Sequence, residues 1–516
     1  MQDSLRSETV KSELLIVGVI AFASLCWGLT LNGGFQGYDD LHYLQAALNW
    51  LHDGPSLPTD HWSGRLPYVL LLALGVKLFG ANEGALIVVN SILFVSLIVT
   101  LWFVARLKFG SGSALFAAGL AATTPLFFRS PLTFYPETLE TTLFGIELGL
   151  IILATRKSGV ERSTVLLIVA GLFGGTALVL RATSAVIPLA LSVFILLEIK
   201  RPRTAFLAVA TLALGYVIPL MAEALYYFVM TGNPIYRYVI DSKDGVVNQE
   251  MVGEVIITRD ALFNIGLAKL WTTWAPAVFK IHWTVNHMVN VFATPSLLLT
   301  PYFGLAGIIT ALRSEKFRNF ALLSILLLGL QYAIFTFVFV LSPTPRYYDT
   351  SIFLFCILGG LFLSSSVLLA RNILLLAQVL LGIMIGLTQI GPRSIVDALF
   401  AAHKRVTPIY ISSATADASY VSFLNDASLA EAVRVGFPPV GAYALIGWDG
   451  WPRDTLKHTC SDGGLQWDVT FRTSNPSLLW KLLDTHFPKI ASILPDRISG
   501  YLRRDVENTA LARRRC

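Results

Sequence analysis

The chain has 516 residues, of which 54% are hydrophobic and only 14% are charged. Ordinary soluble domains carry about 25% charged residues, so this composition excludes a soluble globular protein and indicates a helical membrane protein. The formal net charge is +6. The basic residues lie in short clusters between apolar runs, which is how membrane topology is set, and they give no sign of a nucleic-acid partner.

Apolar runs of about 20 residues recur along most of the chain and predict about eleven transmembrane helices. We expect these spans at 14–31, 84–105, 112–131, 137–155, 163–180, 182–199, 204–230, 286–312, 319–341, 349–370 and 372–391. Basic clusters follow every even-numbered span, beginning with Arg106 and Lys108. By the positive-inside rule, these loops and the N-terminus are cytoplasmic and the C-terminus is external.

Three external regions follow from this topology: a first loop at 32–83, a middle loop at 231–285 and a tail from 392. Within the first loop, the apolar run 66–76 is too short to span and predicts an interfacial or re-entrant helix. In the tail, strand-like runs (TPIYISS, AYALIGW, WDVTFRT) alternate with helix-like runs (ASYVSFLND, SLLWKLLDTHF). We therefore expect a transmembrane domain at 1–391 and a small external α/β domain at 392–516.

The cysteines show no spacing typical of a metal site. Cys26 and Cys356 lie in apolar runs, where we expect them to be buried, whereas Cys460 and Cys516 lie in the tail and could pair in an oxidising compartment. No HExxH, GxSxG, P-loop or CxxC signature is present in the sequence, so a dedicated protein metal cage has no support.

Two adjacent aspartates open the segment GFQGYDDLHYLQAALNWLHDG, directly after the first span. Asp39 and Asp40 begin an amphipathic helix whose leucines recur every three or four residues on one face. One aspartate would be enough to cap the helix, so a structural and a functional role both stay open. His42 and His61 lie near carboxylates and leave room for a single divalent ion, although the sequence does not assign a metal.

Arg65 stands where the short apolar helix of the first loop begins. It could be a snorkelling cation that anchors the helix at the headgroup level. It could also bind a lipid phosphate, because a guanidinium matches phosphate oxygens with two hydrogen bonds. Position alone favours neither interpretation.

Acidic residues also mark the fourth span, in the segment RSPLTFYPETLETTLFGIELGL. Glu137, Glu140 and Glu147 fall on one face of this helix at about 100° per residue. Glu147 lies near mid-membrane, where an ionisable group is a functional candidate, but we favour a buried interhelical hydrogen bond. Glu137 lies at the external mouth, level with the aspartate pair.

Cations and aromatic residues occur together in two further external segments. The turn LSPTPRYYDT contains Arg346, Tyr347 and Tyr348, a combination that suits an anionic headgroup. In the middle loop, Arg259 and Lys280 stand among tryptophans. Interfacial tryptophan is common, so this loop is mainly an anchor, with phosphate binding as the alternative.

Taken together, these segments resemble the GT-C class of membrane glycosyltransferases, and most of all the branch of lipid A aminoarabinose transferase and the protein O-mannosyltransferases. The resemblance covers about residues 14–390 and is carried by YDDLHYLQAALNWLHDG, GRLPYVLLLALGVKLFG, ARLKFG, SPLTFYPETLETTLFGIELGLIIL and TPRYYDTSIFLF. It implies an enzyme of the bacterial inner membrane that moves a sugar, with inversion, from a polyprenyl-phosphate carrier to an acceptor on the periplasmic side.

The resemblance also implies roles for individual residues. Asp39 would be the general base that takes the acceptor proton, and Asp40 its acidic neighbour. Glu137 would be the second-loop acid, where relatives often have aspartate, which has a shorter side chain. Arg65, where some relatives have lysine, and Arg346 would hold the donor phosphate.

The donor sugar and the acceptor are not readable from the sequence. Lipid A, another cell-envelope lipid or glycan, and a protein serine or threonine all remain as acceptors. A transporter or flippase of a lipid-linked sugar is the main alternative, favoured by Glu147 but not by any matched half-repeat. An assembly protein that works through its tail is a third hypothesis.

Overall fold

The computed structural model describes residues 2–31, 35, 37, 39–156, 160–244, 254–258, 278–294, 296–338, 344–389, 394–446, 467–473, 478–486, 488, 492 and 509–514. Helices dominate up to residue 389. They are α1 (Gln2–Thr30), α2 (Asp39–His52), α3 (Leu66–Phe79), α4 (Glu83–Phe109), α5 (Ser111–Thr123), α6 (Pro125–Phe128), α7 (Ser130–Thr133), α8 (Glu137–Arg156), α9 (Val160–Leu180), α10 (Val186–Glu198), α11 (Pro202–Thr231), α12 (Tyr236–Asp244), α13 (Trp283–Phe292), α14 (Thr300–Leu312), α15 (Glu315–Phe337), α16 (Asp349–Ser365) and α17 (Leu368–Gln389).

The described residues contain eight helices that are long and apolar enough to cross a membrane, and four shorter apolar helices. This confirms the polytopic helical architecture, but the expected spans 112–131, 182–199 and 286–312 contain only shorter apolar helices, and two of the three are broken. The run 112–131 ends its first helix at Thr123, and the run 286–312 is divided between α13 and α14. Pro125 and Pro301 stand in the first turn of the helices that resume after these breaks. Proline is favoured there because it lacks the N–H that a helix interior requires.

The two helices of the first loop form a layer that packs against the spans. α3 has 14 residues, which at 1.5 Å per residue gives about 21 Å and leaves it shorter than a bilayer core of about 30 Å. The short apolar helix expected here is therefore present, and its interfacial or re-entrant position stays a prediction. Leu41, Leu44 and Leu48 of α2 are buried in one cluster with residues of α3, α4 and α8, so the apolar stripe holds the start of α2 against the bundle.

The two ends of the bundle differ in chemistry. At one end, Arg106 Nε lies 2.8 Å from Glu13 Oε2, and Lys108 Nζ lies 2.7 Å from Glu198 Oε1. The external loops meet at the other end of α4, a helix of 27 residues and therefore about 40 Å long. The basic loops and the external loops thus lie at opposite ends, as the topology requires, while the compartment at each end stays a prediction.

A mixed sheet forms the core of the tail. Its strands are β3 (Ile409–Ile411), β4 (Val433–Val435), β5 (Tyr443–Ile446), β6 (Trp467–Thr473) and β7 (Thr509–Arg514). Their order is β4-β3-β5-β7-β6, with β3 parallel to β4 and β5, and β7 antiparallel to its two neighbours. The tail helices are α18 (Ser394–His403), α19 (Ser413–Ala418), α20 (Tyr420–Asn425), α21 (Ala427–Ala432) and α22 (Leu478–His486).

The small α/β fold expected for the tail is therefore present, and the domain boundary at 391 and 392 stays a prediction. A separate antiparallel pair, β1 (Glu254–Thr258) and β2 (Val278–His282), lies in the middle loop. The cysteine expectations were half right. Cys356 is buried, but Cys26 is exposed on α1, because it lies on a face of that helix that the described part of the chain leaves uncovered. Cys460 and Cys516 lie outside the described residues.

Close packing of α9 against α11 depends on glycine. A Cβ at Gly171 would lie 2.2 Å from the Leu212 carbonyl oxygen and 2.8 Å from Gly215 Cα. We expect Gly171→Ala to force these backbones apart and to lower the free energy of unfolding by about 1–3 kcal/mol, the usual cost of overpacking.

Thermal unfolding in detergent would measure this effect. Gly329→Ala in α15 is the matched control, because a Cβ added at Gly329 would meet no heavy atom of the described residues within 4 Å. Equal unfolding temperatures for the two variants would contradict the packing described here.

Candidate active site

Several helix ends meet at the external-loop end of the bundle and bring charged residues together. α2 begins at Asp39, α8 begins at Glu137, and Arg181 follows α9. Arg346 lies in a 3-10 turn, Pro345–Tyr348, that leads into α16. The N-terminus of a helix carries a partial positive charge, so the two acids stand where the helix dipoles favour anions.

Arg346 links the first loop to the fourth predicted span. Its Nη1 lies 3.2 Å from Asp39 Oδ2, and its Nε lies 3.7 Å from Glu137 Oε1. The guanidinium also covers the ring of Tyr135 at 4.5 Å. The side chains of Arg346 and Asp39 are 28% and 22% exposed, whereas that of Glu137 is only 5% exposed. Asp39 is therefore the more exposed carboxylate of this pair.

Arg181 is a second, more deeply buried cation of the same cluster. Its Nη1 lies 2.7 Å from Glu140 Oε2 and 3.5 Å from Glu137 Oε1. The Ser184 hydroxyl donates a hydrogen bond of 2.5 Å to the other oxygen of Glu140. Burial alone would lower the pKa of Arg181, but Glu140 and Glu137 outweigh it and raise that pKa. The guanidinium therefore stays charged and neutralises both glutamates.

Arg65 lies directly before α3 and is held by an aromatic pair. Its Nη1 donates a hydrogen bond to the Tyr43 hydroxyl. Tyr43 meets Tyr68 edge to face at 5.1 Å, and Tyr68 donates to Asn90 Oδ1 at 3.0 Å. Burial raises the pKa of Tyr43, although Arg65 opposes the shift, so its hydroxyl stays protonated at neutral pH. Arg65 also lies within electrostatic reach of Glu137, which places it beside the cluster.

The middle loop supports this region through a buried ion pair. Arg237 of α12 lies 3.0 Å from Glu223 Oε1 of α11 and 3.4 Å from Asp241 Oδ2. Its Cγ lies 3.7 Å from the position that a Cβ would take at Gly64, the residue before Arg65. Burial raises the pKa of Asp241, while Arg237 opposes the shift. The pair thus fixes the middle loop against the first loop.

The two histidines that the sequence singled out are engaged nearby. His42 Nδ1 lies 3.0 Å from Asp60 Oδ2, and the His42 ring stacks on Trp62 at 4.2 Å. His61 contacts the same tryptophan at 3.7 Å. Among the described residues, no group of three or more histidine, cysteine, aspartate or glutamate side chains could hold a metal ion. The described part of the chain therefore contains no candidate site for the divalent ion that the sequence left open.

The remaining predicted site residues differ in where they lie relative to the charged cluster. Tyr348 is fully buried in the core, with its hydroxyl 3.0 Å from His287 Nδ1, whereas the ring of Tyr347 faces the cluster, 5.2 Å from the Arg181 guanidinium. Asp40 is buried, and its Oδ1 accepts a hydrogen bond from the Leu41 amide at 3.0 Å. Lys280 is in β2, but its side chain, like the whole of Arg259, lies outside the described part of the chain.

Glu147 takes the structural role expected for it. The Tyr216 hydroxyl of α11 donates a hydrogen bond of 2.6 Å to Glu147 Oε1 of α8. Glu147 is completely buried. This interhelical bond is the contact expected for Glu147, whose other oxygen, Oε2, is buried without a hydrogen-bond partner among the described residues.

Sequence reasoning missed several residues of the cluster, namely Arg181, Tyr135, Tyr43 and Asp349. A signal was present for Arg181, because it is a cation that follows an odd-numbered span. The positive-inside rule places no cation there, so its presence needed another explanation. The three other residues have no such signal, since their contacts depend on how separate helices meet.

Comparison with known proteins gives one family match and several similar structures. Residues 67–222, less than half of the chain, match the model of the dolichyl-phosphate-mannose-protein mannosyltransferases. ArnT from Cupriavidus metallidurans is similar in its apo state (TM-score 0.58, 12% identity, 98% of each chain) and bound to undecaprenyl phosphate (TM-score 0.55, 13% identity, 97% of each chain). The apo oligosaccharyltransferase of Archaeoglobus fulgidus has a TM-score of 0.52 at 15% identity, over 85% of this chain and 70% of the other.

No curated protein matches this sequence. At identities of 12–15%, the similar structures establish the fold, and the family match over residues 67–222 is a likeness to a mannosyltransferase family. Both agree with the resemblance that the motifs predicted, which is therefore confirmed.

The pairing of Arg181 with the buried glutamates can be tested by removing the charge of Arg181. We expect Arg181→Met to leave the buried Glu140 without its cation, to remove one of the cations beside Glu137, and to lower the free energy of unfolding by about 3–5 kcal/mol. Adding Glu140→Gln should restore part of this loss, since it removes one of the two charges. Thermal unfolding of the single and double variants in detergent measures both effects. A double variant less stable than Arg181→Met would contradict the pairing.

Proposed function

We propose that this chain, a membrane glycosyltransferase of the GT-C class, transfers a sugar with inversion from a polyprenyl-phosphate carrier to an acceptor hydroxyl. The observation that carries the proposal is the ion pair of Asp39 with Arg346, which puts a reachable carboxylate beside a reachable guanidinium at one end of the bundle. A general base and a phosphate-binding cation are the two groups that this reaction requires.

The chemistry assigns these groups to different substrates. The bond between the anomeric carbon and the phosphate oxygen breaks, and the acceptor oxygen forms the new bond to that carbon from the opposite face. The acceptor proton passes to the Asp39 carboxylate, which must come within about 3 Å of the hydroxyl. Polyprenyl phosphate leaves with an additional negative charge, so cations rather than an acid stabilise it.

Two arginines are suited to the donor phosphate and one is not. Arg346 is 28% exposed, and Arg65 has one nitrogen engaged with Tyr43, so both have donors left for a ligand. Arg181 is only 5% exposed and is held by two glutamates. We therefore assign phosphate binding to Arg65 and Arg346, and to Arg181 the positioning of Glu137.

Donor binding would also prepare the base. Arg346 contacts Asp39 at 3.2 Å, and a guanidinium pairs strongly with phosphate oxygens. A donor phosphate that takes up Arg346 would weaken its pairing with Asp39 and leave the carboxylate free to accept the acceptor proton. Glu137, on the other side of Arg346, would keep the guanidinium in place during this exchange.

We also propose the class of the substrates and the compartment of the active site. The similar ArnT structure that is bound to undecaprenyl phosphate supports a polyprenyl carrier. On the resemblance of the sequence motifs, we propose a bacterial inner membrane, a periplasmic active site and a cell-envelope lipid, glycan or protein as acceptor. Arg259 and Lys280 stay as further phosphate-binding candidates in the middle loop.

Asp39→Asn tests the base. We expect transfer by the purified protein to fall by roughly 10²–10⁴-fold, since an amide cannot accept the proton, while binding of polyprenyl phosphate persists. Asp53→Asn is the matched control, because Asp53 is an exposed acid just after the same helix. The measurement is transfer of radiolabelled sugar from polyprenyl-phosphate donors. Full activity of Asp39→Asn would reduce the aspartate to a structural residue.

Arg65→Gln tests the phosphate site. We expect the KM for the donor to rise by roughly 10- to 100-fold, because a charge-assisted hydrogen bond to phosphate is lost. Lys77→Gln serves as the control, since Lys77 is an exposed cation on α3, the helix that Arg65 directly precedes. Equal effects of both substitutions would mean that Arg65 acts only through the general charge of the membrane surface.

A further inference from the structure

Two carboxylate oxygens of the cluster lack a partner. Glu137 Oε2 and Asp349 Oδ1 are buried and have no hydrogen-bond partner within the described part of the chain. The two residues are 4% and 7% exposed. Native proteins pair nearly all buried polar atoms, and an unpaired one calls for an explanation. Two such acceptors in one charged cluster point to donors that arrive with a ligand.

Asp349 belongs to the same cluster as the proposed catalytic groups. It begins α16, directly after the turn that carries Arg346. Glu137, Glu140, Arg181 and Arg346 all act on it electrostatically. A favourable position at a helix N-terminus would explain a negative charge here. It would not explain the unpaired oxygen, since a capping carboxylate accepts hydrogen bonds from the helix amides.

We propose that Asp349 accepts a hydrogen bond from a hydroxyl of the sugar being transferred, and that Glu137 Oε2 accepts a second one. The assignment rests on the proposed function. The transferred sugar is joined directly to the donor phosphate, so a phosphate held by Arg346 places the ring hydroxyls within a few ångströms of the turn that Asp349 follows. Hydroxyl groups are hydrogen-bond donors, and a carboxyl oxygen accepts from them whether the group is charged or neutral.

Such a contact makes Asp349 a specificity-determining residue. A site built to hydrogen-bond a substrate hydroxyl rejects the analogue that lacks it, because the buried protein atom is then left unpaired. The identity and configuration of one sugar hydroxyl would therefore decide how well a donor is used.

The test pairs a change in the enzyme with a change in the donor. The wild-type protein and Asp349→Ala are assayed with intact polyprenyl-phosphate sugars and with donors that each lack one ring hydroxyl. We expect the wild type to lose roughly 10- to 100-fold in kcat/KM with one particular deoxy donor. Asp349→Ala should show a similar loss with the intact donor and no further loss when that hydroxyl is missing.

Two controls keep the result interpretable. Glu315→Ala removes an exposed acid from the first turn of α15 and should behave as the wild type with every donor. If Asp349→Ala does not fold, the isosteric Asp349→Asn replaces it, and its smaller loss should be confined to the same donor hydroxyl.

The alternative outcomes are distinct. A loss of equal size on every donor, full activity of Asp349→Ala on the intact donor, or coupling to an acceptor hydroxyl would each overturn the assignment of Asp349. If the wild-type protein transfers sugar from none of the intact donors, the proposed function itself fails. If transfer is retained but the Asp349 substitution is not coupled to any donor hydroxyl, only the proposed role of Asp349 is wrong.

Discussion

The pairing of Arg346 with Asp39 and Glu137 is the interaction on which the site depends. Asp39 comes from a helix that does not span the membrane, Glu137 opens a helix that does, and Arg346 precedes a third helix. Two acids brought this close would repel each other without the cation between them. Arg181 neutralises the charge of Glu140 in the same way. The charges therefore hold the helix ends together, and they include the groups that we propose to be reactive.

Apolar packing places these charges at the right level. The buried leucines of α2 and the residues of α3 share one cluster with the spans, so the first loop lies on the bundle and not free above it. The tail adds to this support, because Val421 joins the same cluster and Asn425 Nδ2 donates to the Ala81 carbonyl at 3.3 Å. The short helix α3 and its flanking Arg65 are thus fixed from the bundle side and from the tail side.

Much of the architecture could be predicted because its signals are local. Apolar length identified most spans, the leucine spacing identified α2, and alternation identified the strand WDVTFRT, which is β6. The breaks in two spans were missed, since each half is apolar and only the backbone at the interruption reveals them. β7 was missed as well. It lies between β5 and β6, but its sequence TALARR has no alternating pattern, so its position depends on partners far away in the chain.

The site was predictable only in part for the same reason. Asp39, Glu137, Arg65 and Arg346 could be named as candidates from their positions and from the resemblance, and the structure brings them to one end of the bundle. Their pairing could not be derived, because it requires knowing which helix ends are neighbours. Tyr348 illustrates the limit, since it adjoins a residue of the cluster in sequence but points into the core.

The most direct test of the account is a cryo-electron microscopy structure of the protein with polyprenyl phosphate bound. The account predicts that the phosphate lies between Arg65 and Arg346, and that the distance from Asp39 to Arg346 grows beyond 3.2 Å. A phosphate bound at the opposite end of the bundle, beside Arg106 and Lys108, would contradict the assignment of this cluster as the active site.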